Sequence, residues 1–398
     1  MFKLTRKGLM KRLFFVAFIF FVVFWSAGNK SQKPESKAIV EVIDGVECIH
    51  NTETPLHPDK TVTFVEDLSI DGEDEDENNI LFWPLLSFVD DNENIYIIEL
   101  QDQVIKVFGS DGEYIQTIGA KGNGPGEFQM ISGLAVTKEG KIAVIDSSAR
   151  RTSFFDSSGQ FLKSFQWRVN STGLHLVKNS SYLIQERAYS GTRQFGAFSV
   201  KEIDFDGKEI RSYGVFTGGE HLIVRHGKWT SYSSLPDSPH NIFTGDQDRG
   251  LLYHCFNNKY IIEVYDTSGK LFRKIDRPYE PVPFTNKDAE EYRAEFENHP
   301  NEAVRKTVRD MKMPKVKTIV SRMNVDNEGN LWIRTNETKE EEDKIMTAFD
   351  IFDSEGFYYA KVWSEIFPFI FKKGKMYRMD TDQDTGYRSL KRYKVVWE

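Results

Sequence analysis

Phe155-Asp156-Ser157-Ser158-Gly159 is the stretch that decides the fold. An apolar strand end is followed by an Asp that bonds its own backbone and then by a Gly that supplies positive φ, so the phrase specifies a tight hairpin turn. It recurs as Phe108-Gly109-Ser110-Asp111-Gly112, Ile203-Asp204-Phe205-Asp206-Gly207, Tyr265-Asp266-Thr267-Ser268-Gly269 and Phe352-Asp353-Ser354-Glu355-Gly356. The five glycines stand 47, 48, 62 and 87 residues apart. Hairpins repeating with a period in the forties indicate the blades of a propeller rather than a domain with a single core.

A second echo sets the blade count. Polar turns at Asn92-Glu93-Asn94, Lys138-Glu139-Gly140, Asn179-Ser180-Ser181, Asp248-Arg249-Gly250, Asn327-Glu328-Gly329 and Lys373-Gly374-Lys375 each precede a short apolar strand, which makes six units. Near-continuous apolar strands of this kind suit blades packed on both faces. The sixth unit ends in Arg392 to Trp397 with no Asp-x-x-Gly hairpin after it, so it lacks a strand. The alternating segment Thr61 to Val65 is the candidate to pair there and close the ring, which removes an exposed edge. The expected fold is therefore all-β, a six-bladed propeller over residues 60–398.

The stretch Gly119 to Phe165 contains Gly122-Asn123-Gly124-Pro125-Gly126-Glu127-Phe128, then Ile131 to Val136, the strand Ile142 to Asp146 and the Phe155 hairpin. That order resembles the NHL-type repeat, and the span from about Val40 to Trp397 resembles the six-bladed β-propeller proteins of the bacterial cell envelope, known mostly from Gram-negative species. The glycine run lacks the Gly-Lys-Ser/Thr ending of a phosphate loop and leads into strand-like residues, so it reads as an inter-blade connection. The resemblance implies a lipoprotein-type start. The position where the acylated Cys would stand is Asn29.

Lys3, Arg6, Lys7, Lys11 and Arg12 precede the apolar run Leu13 to Trp25 and the small residues Ser26-Ala27-Gly28. A basic head, a 13-residue apolar core and a small-residue exit form a secretory signal, being shorter than the roughly 20 residues of a spanning helix. Residues 1–28 thus read as a signal peptide or a retained signal anchor, and residues 29–59 as a tether and N-terminal extension. Export to the periplasm follows, with membrane association through this segment if it is retained.

The chain carries a net charge of −8, and its first 28 residues hold five cations and no anions, which leaves −13 on the rest. A body of that sign repels phosphate backbones and excludes nucleic acid as the expected partner. The two cysteines, Cys48 and Cys255, would staple the N-terminal segment to the fourth blade if paired.

From Pro278 to Lys317 the β pattern breaks. Thr285 or Asn286 caps one expected helix with Tyr292 and Phe296 on one face, and Asn301 to Met311 forms a second with Val304 and Val308 aligned. This insertion, about residues 280–318, would lie over one rim as a fixed cover or a mobile gate. The excursions Tyr189 to Gly196 and Gly218 to Asp246 elaborate the same rim.

No nucleophile elbow, Cys-x-x-Cys pair or His-Glu-x-x-His motif occurs. Two classes of function remain. A binding propeller would gather aromatic and cationic residues at the rim, where Arg187, Arg193, Trp229 and Trp332 are the candidates for a protein or small-molecule ligand. A metal-assisted lyase or lactonase would instead bring Glu99, Asp146, Glu186, His254 and Asp380 onto an ion in the central channel. The carboxylates occupy equivalent strand positions, and each could equally cap a neighbouring backbone. Asp380, Asp382 and Asp384 alternate like the oxygens of a calcium loop, but the Gly is one place late and Lys391 stands at the twelfth position. Calcium and a solvated hairpin tip both fit. No other cofactor is expected, and the binding class is the reading carried forward.

Overall fold

The computed structural model describes residues 38–71, 81–166, 171–177, 181–188, 197–216, 218–219, 221–226, 229–367, 370–382 and 386–398. They form a six-bladed β-propeller. Each blade is a four-stranded antiparallel sheet whose innermost strand comes first: Pro84–Val89, Ile131–Val136, Ser171–Val177, Asn241–Asp246, Val320–Val325 and Ile370–Lys372. In the second strands Ile95–Glu99 and Ile142–Asp146 all five residues are buried, as near-continuous apolar runs require when both faces are covered.

The ring closes as the alternation of Thr61 to Val65 predicts. Val62–Asp71 pairs antiparallel with Arg388–Trp397, from Val62 opposite Trp397 to Asp71 opposite Ser389, and so becomes the outer strand of the sixth blade. Closure spares the sheet an open edge.

The five hairpins fold alike. In four of them one oxygen of the opening Asp accepts the backbone N–H groups two and four residues on, as Asp156 Oδ1 does from Ser158 and Gln160 at 2.9 and 3.0 Å. The glycines also seat the blades. Gly207 has φ +81°, and a Cβ there would stand 2.7 Å from the Phe165 ring of the preceding blade. Gly356 meets Ile275 and Ile49 in the same way. Each turn therefore needs Gly twice, for its dihedral and for its fit.

Apolar clusters fill the seams between adjacent blades. Phe128, Phe155 and Tyr182 belong to the cluster spanning the first three blades, and Trp332, Phe349 and Tyr393 to the one between blades five and six.

The described part of the N-terminal extension adds to the ring. Ile39–Ile43 and Val46–His50 form a hairpin whose second strand pairs parallel with Leu271–Asp276, widening the fourth blade to six strands. The chain then crosses the rim of blade five, where Leu56 and His57 donate to the carbonyls of Tyr358 and Tyr359. Asn51 is the staple. Its buried amide donates to Gly356 O at 3.0 Å and Asp276 O at 3.3 Å and accepts from Tyr358 N at 2.8 Å, tying blade four to blade five. Cys48 and Cys255 are both free and buried, and three strand spacings, about 14 Å, separate their strands.

The helical insertion contains α1 (Asn286–Glu295) and α2 (Glu302–Asp310). Thr285 and Asp288 form a capping box at α1, and Asn301 caps α2. Val308 is buried among Tyr292, Phe296, Val304 and Leu235, so the helices pack on the excursion that precedes blade four.

Candidate functional site

The innermost strands run in one direction and enclose a central channel. Its wide end opens beside Thr318, Asp237 and Gly218, in a cavity of 570 Å³. Midway it is a 470 Å³ cavity lined by four of the six innermost strands, with Asn241, Thr244, Ser321, Arg322, Asn324 and Phe371 among its walls. At the far end only 10 Å³ remains. Lys372 of blade six and Lys138 of blade two reach Asp91 of blade one at 2.5 and 3.7 Å across that end, which narrows it with ion pairs.

The carboxylates stand one strand further from the axis than a channel site needs, because their strands are second in each blade. Glu99 and Asp146 serve the entries of their own blades. Glu99 Oε1 accepts from Trp83 N at 2.8 Å, just before the first innermost strand. Asp146 Oδ2 accepts from Gln129 N at 2.8 Å and Oδ1 from Ala149 N at 2.9 Å. In blade four the equivalent residue is Asn257, whose Oδ1 accepts from His240 N at 2.8 Å. Glu186 pairs with Lys201 at 2.9 Å and Asp380 with Arg378 at 2.5 Å. His254 is held by Glu263 and Asn241 at 3.1 and 2.8 Å. Its hydrogen bond is the largest influence on Glu263, which is held near pKa 2 against the opposing effect of burial, with help from Tyr265 and Lys274. Among the described residues no three His, Cys, Asp or Glu side chains converge as a metal site.

Trp332 is placed in the core, not at the rim: it is 2% exposed, and its Nε1 donates to Asp326 at 2.9 Å. Strand alternation turns it toward Phe371 and Trp397 in the seam with blade six. The side chains of Arg187 and Trp229, and Arg193 and Asp384 altogether, lie outside the described residues. Asp382 is exposed in the turn closed by Gly386 N to Asp382 O.

Sequence reasoning missed Arg322 and Arg334. They stand directly opposite each other on the first two strands of blade five. The Arg334 guanidinium lies 3.9 Å from the centroid of the Phe367 ring, and its buried Nε has no hydrogen-bond partner. Burial pulls the pKa of both arginines down, and Arg322 pulls Arg334 down further.

No curated protein matches the sequence. Among solved structures, a Bacteroides fragilis protein described as exported is 13% identical, with a TM-score of 0.52 over 88% of this chain and 99% of that one. A duf4221-family member from Bacteroides vulgatus is 12% identical at a TM-score of 0.52, over 84% and 99%. Both likenesses are of fold alone. Virginiamycin B lyase from Staphylococcus aureus, at 10% identity over 85% and 100%, has a TM-score of 0.43, too low to bear on chemistry. Residues 70–221 match the family model described as a 6-bladed beta-propeller, and with six closed sheets around one channel the chain is a six-bladed β-propeller protein.

Proposed function

We propose that the chain is an exported, non-catalytic binding propeller of the bacterial cell envelope, and that it receives a small ligand in the central channel. The observation that carries the reading is the 470 Å³ cavity, of a size typical of small-molecule sites, whose walls combine aromatic and aliphatic side chains with hydroxyl, amide and charged groups, Asp246, Asp248, Asp326, Arg322 and Lys372 among them. The backbone duties of Glu99 and Asp146 support binding over a metal-assisted lyase or lactonase, since one oxygen of Glu99 and both oxygens of Asp146 already accept backbone N–H groups. The basic head and the Leu13 to Trp25 core support export to the periplasm, and Asn29 supports an address without a lipid anchor. No cofactor belongs to this reading.

The test is a thermal-shift screen of sugars, amino acids and organic acids against the purified full chain, with Ser321→Trp as a variant whose indole fills the channel. Ligands that raise the melting temperature of the parent and not of the variant are the expected result. Steady conversion of a bound compound, followed by NMR, would sink the non-catalytic reading.

A further inference from the structure

We propose that the wide mouth of the channel binds an uncharged oligosaccharide, one ring of which stacks on the Trp83 indole. The inference deepens the channel-binding reading above and rests on it. Trp83, Met130 and His240 each immediately precede the innermost strand of their blade. Each carbonyl accepts from the first residue after the second strand: Leu100 N at 3.1 Å, Ser147 N at 2.9 Å and Asn257 N at 3.1 Å. The three are therefore equivalent positions of blades one, two and four, and radial repetition puts equivalent positions at one level around the axis. His240 lines both channel cavities, so its level is the wide mouth. Trp83 is 58% exposed there and Met130 52%, with Phe82 exposed beside Trp83. Large apolar side chains gathered in water at the opening of a cavity mark a surface that receives a ligand.

Across the axis, blades four and five supply hydrogen bonds rather than charge. The 570 Å³ cavity at this end is lined by Ser238, Asn241, Thr318, Ser321 and Asn336, with Gln185 from blade three. Its wall contains no Lys or Arg among the described residues, and its one carboxylate, Asp237, accepts from Thr318 N at 3.3 Å and Thr318 Oγ1 at 3.0 Å. The charged side chains Asp248, Asp326 and Lys372 line the deeper cavity instead. A sugar ring has the two surfaces that this mouth offers to meet. Its axial C–H groups form an apolar face that packs on an aromatic ring through many small dispersion contacts, and its hydroxyls donate and accept as amide and hydroxyl side chains do. Because Trp83 and the amide wall belong to opposite sides of the ring of blades, more than one sugar unit is needed to engage both.

The experiment applies the full chain to an array of neutral and acidic oligosaccharides and then titrates the glycan held most strongly by calorimetry, in the parent and in Trp83→Ala and Trp83→Phe. The expected result is binding of at least one neutral oligosaccharide, weakened roughly 10- to 100-fold in Trp83→Ala, as for an aromatic anchor, and largely kept in Trp83→Phe, which retains an aromatic face. No binding to any neutral glycan, binding to acidic glycans alone, or equal affinity in the parent and Trp83→Ala would overturn the proposal. Should Trp83→Ala fail to fold, the change in indole fluorescence on adding the glycan carries the test: it should be present in the parent and reduced in Trp83→Phe, and an equal change in both overturns the proposal. An amino acid or organic acid that stabilises the parent but not Ser321→Trp, with no glycan bound, would leave the channel reading standing while the saccharide proposal falls.

Discussion

Arg277, at the seam between blades four and five, and Arg334, at the seam between five and six, are both cations drawn out of water, yet one is met by a carboxylate and the other by a second arginine. Arg277 Nε and Nη2 donate to Asp350 Oδ2 at 3.1 and 2.6 Å, and its Nη1 reaches Pro278 O at 2.9 Å. Tyr260 and Tyr358 donate to the same carboxylate at 2.7 and 2.6 Å, and three tyrosine rings stand 4.8 to 5.2 Å from the guanidinium carbon. Burial works to lower its pKa, but Asp350 and the neighbouring phenols outweigh it and raise the pKa. A carboxylate that takes bonds from Arg277, Tyr260 and Tyr358 at once ties the two blades together, and the cluster acts as a rivet. At Arg334, by contrast, the buried Nε has no hydrogen-bond partner. The contrast teaches that burial of a cation does not by itself make a structural tie, and that the partner does.

The largest effect should come from breaking the rivet. Asp350→Leu leaves Arg277 buried without its counter-charge and should cost about 3–5 kcal/mol, read as a lower urea midpoint with an unchanged slope. A loss below about 1 kcal/mol would mean that the tyrosines alone hold the seam. Asn51→Leu, on the same seam, strands the Gly356 carbonyl and the Tyr358 N–H, while the Asp276 carbonyl keeps the backbone N–H of residue 51, and should cost about 2 kcal/mol in the same measurement.

Acid should weaken the two sides unequally. The carboxyl of Glu263 in blade four has a pKa lowered from 4.5 to about 2, so its stabilisation is fully present above pH 4.5 and is lost as pH falls toward 2. The contribution is on the order of 2 kcal/mol after allowance for partial exposure. Glu263→Gln should flatten the stability profile in that window, and an unchanged slope would contradict the assignment. The smallest effect is expected at Arg334, where Arg334→Met relieves repulsion and should leave stability within about 1 kcal/mol of the parent. A loss comparable to that of Asp350→Leu would erase the contrast between the seams.

Much of the blade architecture was legible because each hairpin is local: an Asp binding N–H groups two and four places on leaves its mark within five residues. The closing strand was legible as an unmatched alternating segment facing an unfinished blade. The hairpin Ile39–His50 was not, since its second strand pairs in parallel with residues some 226 positions away and no local pattern announces that partner. At the candidate site the equivalent carboxylates were visible, as was the capping role that the structure gives Glu99 and Asp146. The pairing of Arg322 with Arg334 was hidden. A register irregularity between Val320 and Arg322 sets which residues face each other, and sequence periodicity carries no trace of it.

Among the described residues the strand Val62–Asp71 has its one strand partner in Arg388–Trp397, more than 300 residues further along the chain. Synthesis delivers roughly 5–20 residues per second, so the early strand waits about 16 to 65 seconds before its mate exists. Through that interval the nascent chain carries an unclosed ring and an unsatisfied row of backbone donors and acceptors. Contacts this distant in sequence make for slow folding, and the birth of this molecule is therefore a race between the arrival of Arg388–Trp397 and every other strand edge its first blades meet.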